Sequence, residues 1–83
     1  MQELEERIAV ITGAASGIGY AVATRFAQAG MHVVLADIEE AALEAAASTF
    51  TDAGHTVLPV VTDVSDGKSV EALAEQTMSR FGA

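Results

Sequence analysis

The chain has 83 residues, 12 of them acidic and 4 basic, and carries a formal charge of −8. With 51% apolar and 19% charged residues, its composition is that of one small globular domain. The acidity disfavours nucleic acid and anionic membranes as partners, and the lack of cysteine excludes disulfides, thiol catalysis and thiolate metal sites.

The opening stretch MQELEERIAVITG is acidic, and its apolar run is too short for a secretory signal. Within it, RIAVITG reads as a first strand, compact and rich in Ile and Val. From Ser16 to Ala29 the apolar residues Ile18, Val22, Phe26 and Ala29 fall at helical spacing, with Gly30 as a stop. MHVVLAD is the second strand. From Glu39 to Ala53, Leu43, Ala46, Ala47 and Phe50 form one stripe, closed by Gly54. TVLPVVTD is the third strand. From Asp66 to Phe81, the stripe is Val70, Leu73, Ala74, Thr77 and Phe81, closed by Gly82, with Asp66 or Ser65 as the N-cap.

The strands are apolar at consecutive positions, which suits burial on both faces of a parallel sheet. The strand-then-helix unit recurs about every 25 residues, as the echo between AGMHVVLAD and AGHTVLPVVTD shows. The expected fold class is therefore α/β, a three-layer β-α-β-α-β-α arrangement forming one domain over residues 1–83. Pro59 cannot donate to a ladder, so strand three belongs at an edge; this matches a parallel sheet of order 3-2-1. No stretch approaches the ~20 apolar residues of a membrane span, and the expected location is cytoplasmic.

Between the first strand and helix lies TGAASGIG. Gly13 permits a tight turn off the strand, Gly17 lets a pyrophosphate approach the backbone, and Gly19 lets the helix pack closely on the sheet. The amides of Ser16, Gly17, Ile18 and Gly19 stand at a helix N-terminus. That end holds anions without a basic side chain. Asp37 closes strand two, 18 residues after Gly19, where a carboxylate can accept from both hydroxyls of an adenosine ribose. It would repel a 2′-phosphate, and no Arg or Lys lies beside it. The expected cofactor is thus NAD, with NADP disfavoured. Asp63 closes strand three in the corresponding place and faces the same crevice. For each Asp, a plain strand-ending role is the alternative.

Other chemistry fares worse. Ser16 lacks the flanking glycines of a nucleophile elbow, since positions 14 and 18 are Ala and Ile. His32 and His55 sit at strand entrances without metal-ligand spacing. Glu39, Glu40 and Glu44 fall on the first turns of helix two, where acids complement the helix dipole.

The spacing T-G-x-x-x-G-x-G in AVITGAASGIG resembles the cofactor loop of the short-chain dehydrogenase/reductase family. VVLADI is similar to the family's second strand, VVTDVSD to its third, and VEALAEQTMSRFG to its third crossover helix. The resemblance runs from Arg7 over nearly the whole chain. It implies a half-Rossmann unit from an NAD-dependent oxidoreductase acting on alcohols or carbonyls. By that resemblance Gly13, Ser16, Gly17, Ile18 and Gly19 face pyrophosphate and ribose, Asp37 holds the ribose, and Asp63 with Val64 lines the adenine pocket. The family's Asn-Asn-Ala-Gly strand and its catalytic Ser, Tyr-x-x-x-Lys and Asn would follow Ala83. The only tyrosine, Tyr20, has Thr24 rather than Lys four residues on, and the only lysine is Lys68.

The leading expectation is a truncated cofactor-binding portion that binds the ADP half of NAD and is inactive alone. The alternatives are a structural or dimerisation module and a binder of another adenine nucleotide, such as ADP or FAD. Strand one, residues 7–12, would be an apolar open edge, so self-association across it is also expected.

Overall fold

The computed structural model describes residues 7–82. Strands and helices alternate as β1 (Ile8–Thr12), α1 (Gly17–Gln28), β2 (His32–Asp37), α2 (Glu40–Asp52), β3 (Val57–Val61) and α3 (Gly67–Phe81). The three strands form one parallel sheet in which β2 is central, so the order is 3-2-1 as expected. The register pairs Ile8 with His32 and Thr12 with Ala36 on one side of β2. On the other it pairs Val33 with Val57 and Asp37 with Val61.

The pattern of burial explains this order. Val33, Val34, Leu35 and Ala36 are all buried, so β2 has no polar face to offer water and must lie inside. Its side chains alternate between two cores. Val33 and Leu35 meet α1 and α2 through Ala23, Ala27, Leu43, Ala46, Ala47 and Phe50. Val34 and Ala36 meet α3 on the opposite face, with Val60 and Leu73. Helices thus cover both faces, giving three layers. Pro59 sits exposed in β3, which among the described residues pairs with β2 alone.

The caps follow from local chemistry. Asp66 caps α3, its Oδ1 accepting from the Lys68 N–H at 3.1 Å, while Ser65 serves elsewhere. Gly82 ends α3 in a left-handed conformation, φ 76°, and its N–H donates to the Met78 carbonyl. The C-caps of α1 and α2 are Ala29 and Ala53; Gly30 and Gly54 follow them with positive φ, so Gly54 stands past the end of α2 as expected and Gly30 stands one residue beyond the C-cap expected for it. The histidines are in aromatic packing. The His32 ring lies 5.1 Å from Phe81, over which Arg80 also sits, and His55 meets Phe50 edge-on.

The helix expected from Ser16 to Ala29 forms as α1, but its stripe is not what it buries. The large apolar residues of α1 do not face the core: Ile18 is 83% exposed, and Val22 and Phe26 are exposed as well. The buried residues of α1 are Ala23 and Ala27. Helical spacing alone cannot say which side an apolar stripe faces, and the close approach of α1 to the sheet leaves room only for small side chains. On α3, likewise, Leu73 and Thr77 are buried whereas Val70 and Ala74 are exposed. Beside the exposed Val10 of β1, residues Val70, Leu73, Ala74, Thr77 and Met78 line a shallow apolar groove of about 370 Å³.

The two-core arrangement predicts a steep contrast between positions. Leu43 is 1% exposed beneath β2, and Leu43→Ala should lower unfolding stability by about 2–5 kcal/mol. Met78→Ala on the open face should change it by less than about 0.5 kcal/mol. Urea denaturation followed by circular dichroism compares the two, and equal effects would contradict the assignment of the core.

Candidate functional site: a crevice at the strand ends

The carboxyl ends of all three strands open on one crevice. Its lining is Thr12, Gly13, Ala36, Asp37, Ile38, Thr62, Asp63 and Val64, and its volume is about 360 Å³. That lies within the range of small-molecule sites. In an open parallel sheet this is where ligands bind.

The glycine-rich turn rises from β1. Gly13 and Gly17 both have positive φ, 63° and 65°, which glycine adopts at little strain. Open space surrounds the point where a Gly17 β-carbon would stand. Gly19 is different: a β-carbon there would lie 2.1 Å from the Gly13 carbonyl oxygen and 3.1 Å from that of Thr12. Glycine at this position sets how closely α1 approaches the end of β1. Ser16 is the N-cap residue but makes no side-chain cap bond, so its hydroxyl is not engaged by its own helix. The first intrahelical bond runs from the Tyr20 N–H to the Ser16 carbonyl at 3.5 Å. The amides of Gly17, Ile18 and Gly19 therefore form the donor end of the helix dipole, with no acidic residue in the first turn.

Asp37 ends β2 and is tied on both oxygens. Oδ2 accepts from the Ala15 N–H and Oδ1 from the Glu39 N–H, each at 3.0 Å. These bonds hold its pKa below the ordinary 3.8, the Glu39 amide first and Ala15 next, against a smaller opposing effect of burial. A carboxylate offers about four acceptor positions, so room remains for two hydroxyl donors. Asp63 stands two residues beyond the end of β3, not at its last residue as Asp37 does. Its Oδ1 accepts from both the hydroxyl and the N–H of Ser65, at 2.6 and 3.0 Å, and these bonds lower its pKa also. Its own N–H donates to the Ser69 hydroxyl at 2.8 Å, tying the loop to the first turn of α3. Asp37, Asp63 and Asp66 all use one device: each carboxylate accepts the amide two residues on.

The crevice thus brings Gly13, Asp37, Asp63 and Val64 together, while Ser16, Gly17, Ile18 and Gly19 stand at the adjoining helix end. Sequence reasoning missed Ile38, which is 58% exposed and lines the same crevice as the 65% exposed Val64. The signal was available: ADI and TDV each place a β-branched residue after the acid. Thr12 and Thr62 also line the crevice. The Thr62 hydroxyl donates to the Val60 carbonyl, and its N–H to the Asp37 carbonyl. The contact between Asp37 and the Ala15 amide had no signal in the letters. Tyr20 is committed to packing, stacked on Phe50 at 5.4 Å. Among the described residues, no group of three or more His, Asp or Glu is placed to hold a metal ion. Nor is any described helix long and apolar enough to cross a membrane.

Such a sheet, turn and crevice define a nucleotide-type α/β architecture, and comparison with known proteins gives it a family. The short chain dehydrogenase model matches residues 7–83, and the chain belongs to that family. It is 47% identical over 78 residues to 1-deoxy-11-beta-hydroxypentalenate dehydrogenase of Streptomyces arenae, covering 94% of this chain and 28% of that protein. It is 49% identical to cis-4-hydroxycyclohexanecarboxylate dehydrogenase of Sinomonas cyclohexanicum, covering 94% of this chain and 31% of the relative. Among solved structures, a short-chain dehydrogenase/reductase from Burkholderia phymatum in complex with NAD matches with TM-score 0.94 and 48% identity, over 99% of this chain and 29% of that one. Hydroxysteroid dehydrogenase from Escherichia coli matches with TM-score 0.91 and 33% identity, over 95% of this chain and 33% of that one. The chain therefore spans about a third or less of the length of these relatives.

Two outcomes test the site's construction. Gly17→Ala should cost about 1–2 kcal/mol from its left-handed backbone. Gly19→Ala should cost more, because backbone atoms rather than a movable side chain stand in the way. Thermal unfolding of both variants gives the order, and the reverse order would refute the packing assigned to Gly19. For acid, the sign follows from the lowered Asp37 pKa. Its stabilisation is fully present above 3.8 and is lost as pH falls through the folded-state value. The stability difference between wild type and Asp37→Asn should accordingly shrink on acidification below 3.8 in pH-dependent denaturant titrations. A constant difference would refute it.

Proposed function

We propose that this chain is the part of an NAD-dependent short-chain oxidoreductase that binds the ADP moiety of the cofactor, in an enzyme acting on alcohols or carbonyls. The observation that carries the reading is a helix end with free amides standing beside a crevice that holds a tied carboxylate. The relatives named above are dehydrogenases by name, and one structural neighbour is in complex with NAD.

The residues present fit that group. The open space at Gly17 admits a diphosphate against the backbone amides of α1, with Gly13 forming the turn and the Ser16 hydroxyl uncommitted. Asp37, held ionised, accepts the two ribose hydroxyls and repels a 2′-phosphate, so NAD is favoured over NADP. Asp63 accepts from the adenine amino group, while Ile38 and Val64 give the base apolar surface. When bound, the nicotinamide ring supplies hydride transfer. The described residues bind and orient the other end of the cofactor.

Calorimetric titration with NAD, ADP and NADP tests this reading. ADP and NAD should bind more tightly than NADP. Asp37→Ala should weaken NAD by about tenfold or more, the worth of hydrogen bonds to a charged group. Absence of ADP binding, or equal affinity for NAD and NADP, would overturn it.

A second reading concerns assembly. Among the described residues the outer edge of β1 is unpaired, Val10 on it is 45% exposed, and the apolar strips of α1 and α3 flank it on either side. Within residues 7–12 this edge offers free backbone donors and acceptors beside apolar surface. Pairing of β1 with its two-fold mate would cover it, giving a homodimer with a six-stranded sheet. Sedimentation should then show a dimer; a well-folded monomer at high micromolar concentration would exclude it.

A further inference from the structure

Asp37 is joined to more than its own strand. Its backbone carbonyl accepts from the Thr62 N–H at 2.9 Å, which binds it to the end of β3. Its Oδ1 holds the Glu39 amide at the entrance to α2, and its Oδ2 holds the Ala15 amide across a separation of 22 residues. Ala15 lies midway between Gly13 and Gly17, the two positive-φ residues of the phosphate turn. Glycine loses more conformational freedom on ordering than any other residue, so a turn holding two of them is costly to fix. Two backbone amides of the turn reach β2: Ala14, which is fully buried and donates to the Ala36 carbonyl at 3.1 Å, and Ala15. Only the second depends on a side chain.

We propose that Asp37 is a positioning residue for the phosphate turn, fixing it through the Ala15 amide, so that pyrophosphate affinity depends on a side chain assigned only to the ribose. This rests on the ADP-binding reading given above. One carboxylate then governs both halves of the ligand, the ribose directly and the phosphates through Ala15. Removing it leaves the Ala15 N–H without its acceptor and frees the chain between the two glycines. The sign of the effect sets this role apart from simple electrostatics. Deleting a negative charge beside an anion site should strengthen anion binding, whereas loosening the turn should weaken it.

The experiment uses three probes, inorganic pyrophosphate, adenosine and ADP. They are titrated against wild type, Asp37→Ala, Asp37→Asn and, as a charge control, Glu40→Gln, an exposed acid of the first turn of α2 outside the crevice lining. Amide hydrogen exchange at Ala15 is measured in each protein without ligand. In Asp37→Ala, exchange at Ala15 should accelerate and pyrophosphate affinity should fall, each by about tenfold, in line with the loss of one hydrogen bond to a charged group. Asp37→Asn, which keeps one carbonyl acceptor, should fall between. Glu40→Gln should leave pyrophosphate affinity unchanged or raised, and a fall as large as that of Asp37→Ala would overturn the proposal. Unchanged or tighter pyrophosphate binding in a folded Asp37→Ala would overturn the proposal, and if that variant does not fold, Asp37→Asn bears the same comparison. If wild type binds neither ADP nor pyrophosphate, the functional reading fails. Ala15 exchange then decides the positioning role by itself, with undiminished protection in the Asp37 variants overturning it.

Discussion

A single backbone approach organises this molecule. Gly19 lies so near the Gly13 carbonyl that only a hydrogen fits between the first turn of α1 and the strand end. That distance fixes how low α1 rides on the sheet and where its N-terminal amides point. It also decides which residues of α1 can face inward. A helix this close to the strands has space for Ala23 and Ala27 and excludes the larger Val22 and Phe26. Site geometry and packing are therefore two results of one steric fact.

The fold was legible because its signals are redundant. β2 is apolar at four successive inward positions, and such a run can be satisfied only in the middle of a parallel sheet. Pro59 independently places β3 at an edge, and the glycine after each helix marks the unit boundaries. The stripe of α2 was legible for the same reason, since Leu43, Ala46, Ala47 and Phe50 are the residues it buries. On α1 the periodicity was legible, but which residues it buries was not. A stripe has two candidate sides whenever alanines lie opposite it, and only the spacing between layers chooses.

Of the site, the letters carried its spacing and chemistry: three glycines, an Asp at the next strand end and another near the third. They did not carry its internal ties. Whether Asp37 meets the Ala15 amide depends on the height of one loop relative to the neighbouring strand, a quantity with no periodicity to read. Asp63 is similar. Its place past the last paired residue of β3, and the Ser65 and Ser69 hydroxyls around it, come from the path of a turn. Side-chain partners within loops are the least deducible part of such a fold because they rest on conformation and not on pattern.

The thin attachment of α1 has an energetic consequence. Two buried alanines and the half-buried Tyr20 anchor it, whereas α2 is held by Leu43 and Phe50. Fewer residues of α1 than of α2 are buried, so its local opening requires less free energy than that of the helix beside it. The helix end proposed to receive phosphate belongs to this element. An anion seated at that end would bind only the closed form and so act as a fastener, drawing α1 more firmly onto the sheet as its concentration rises.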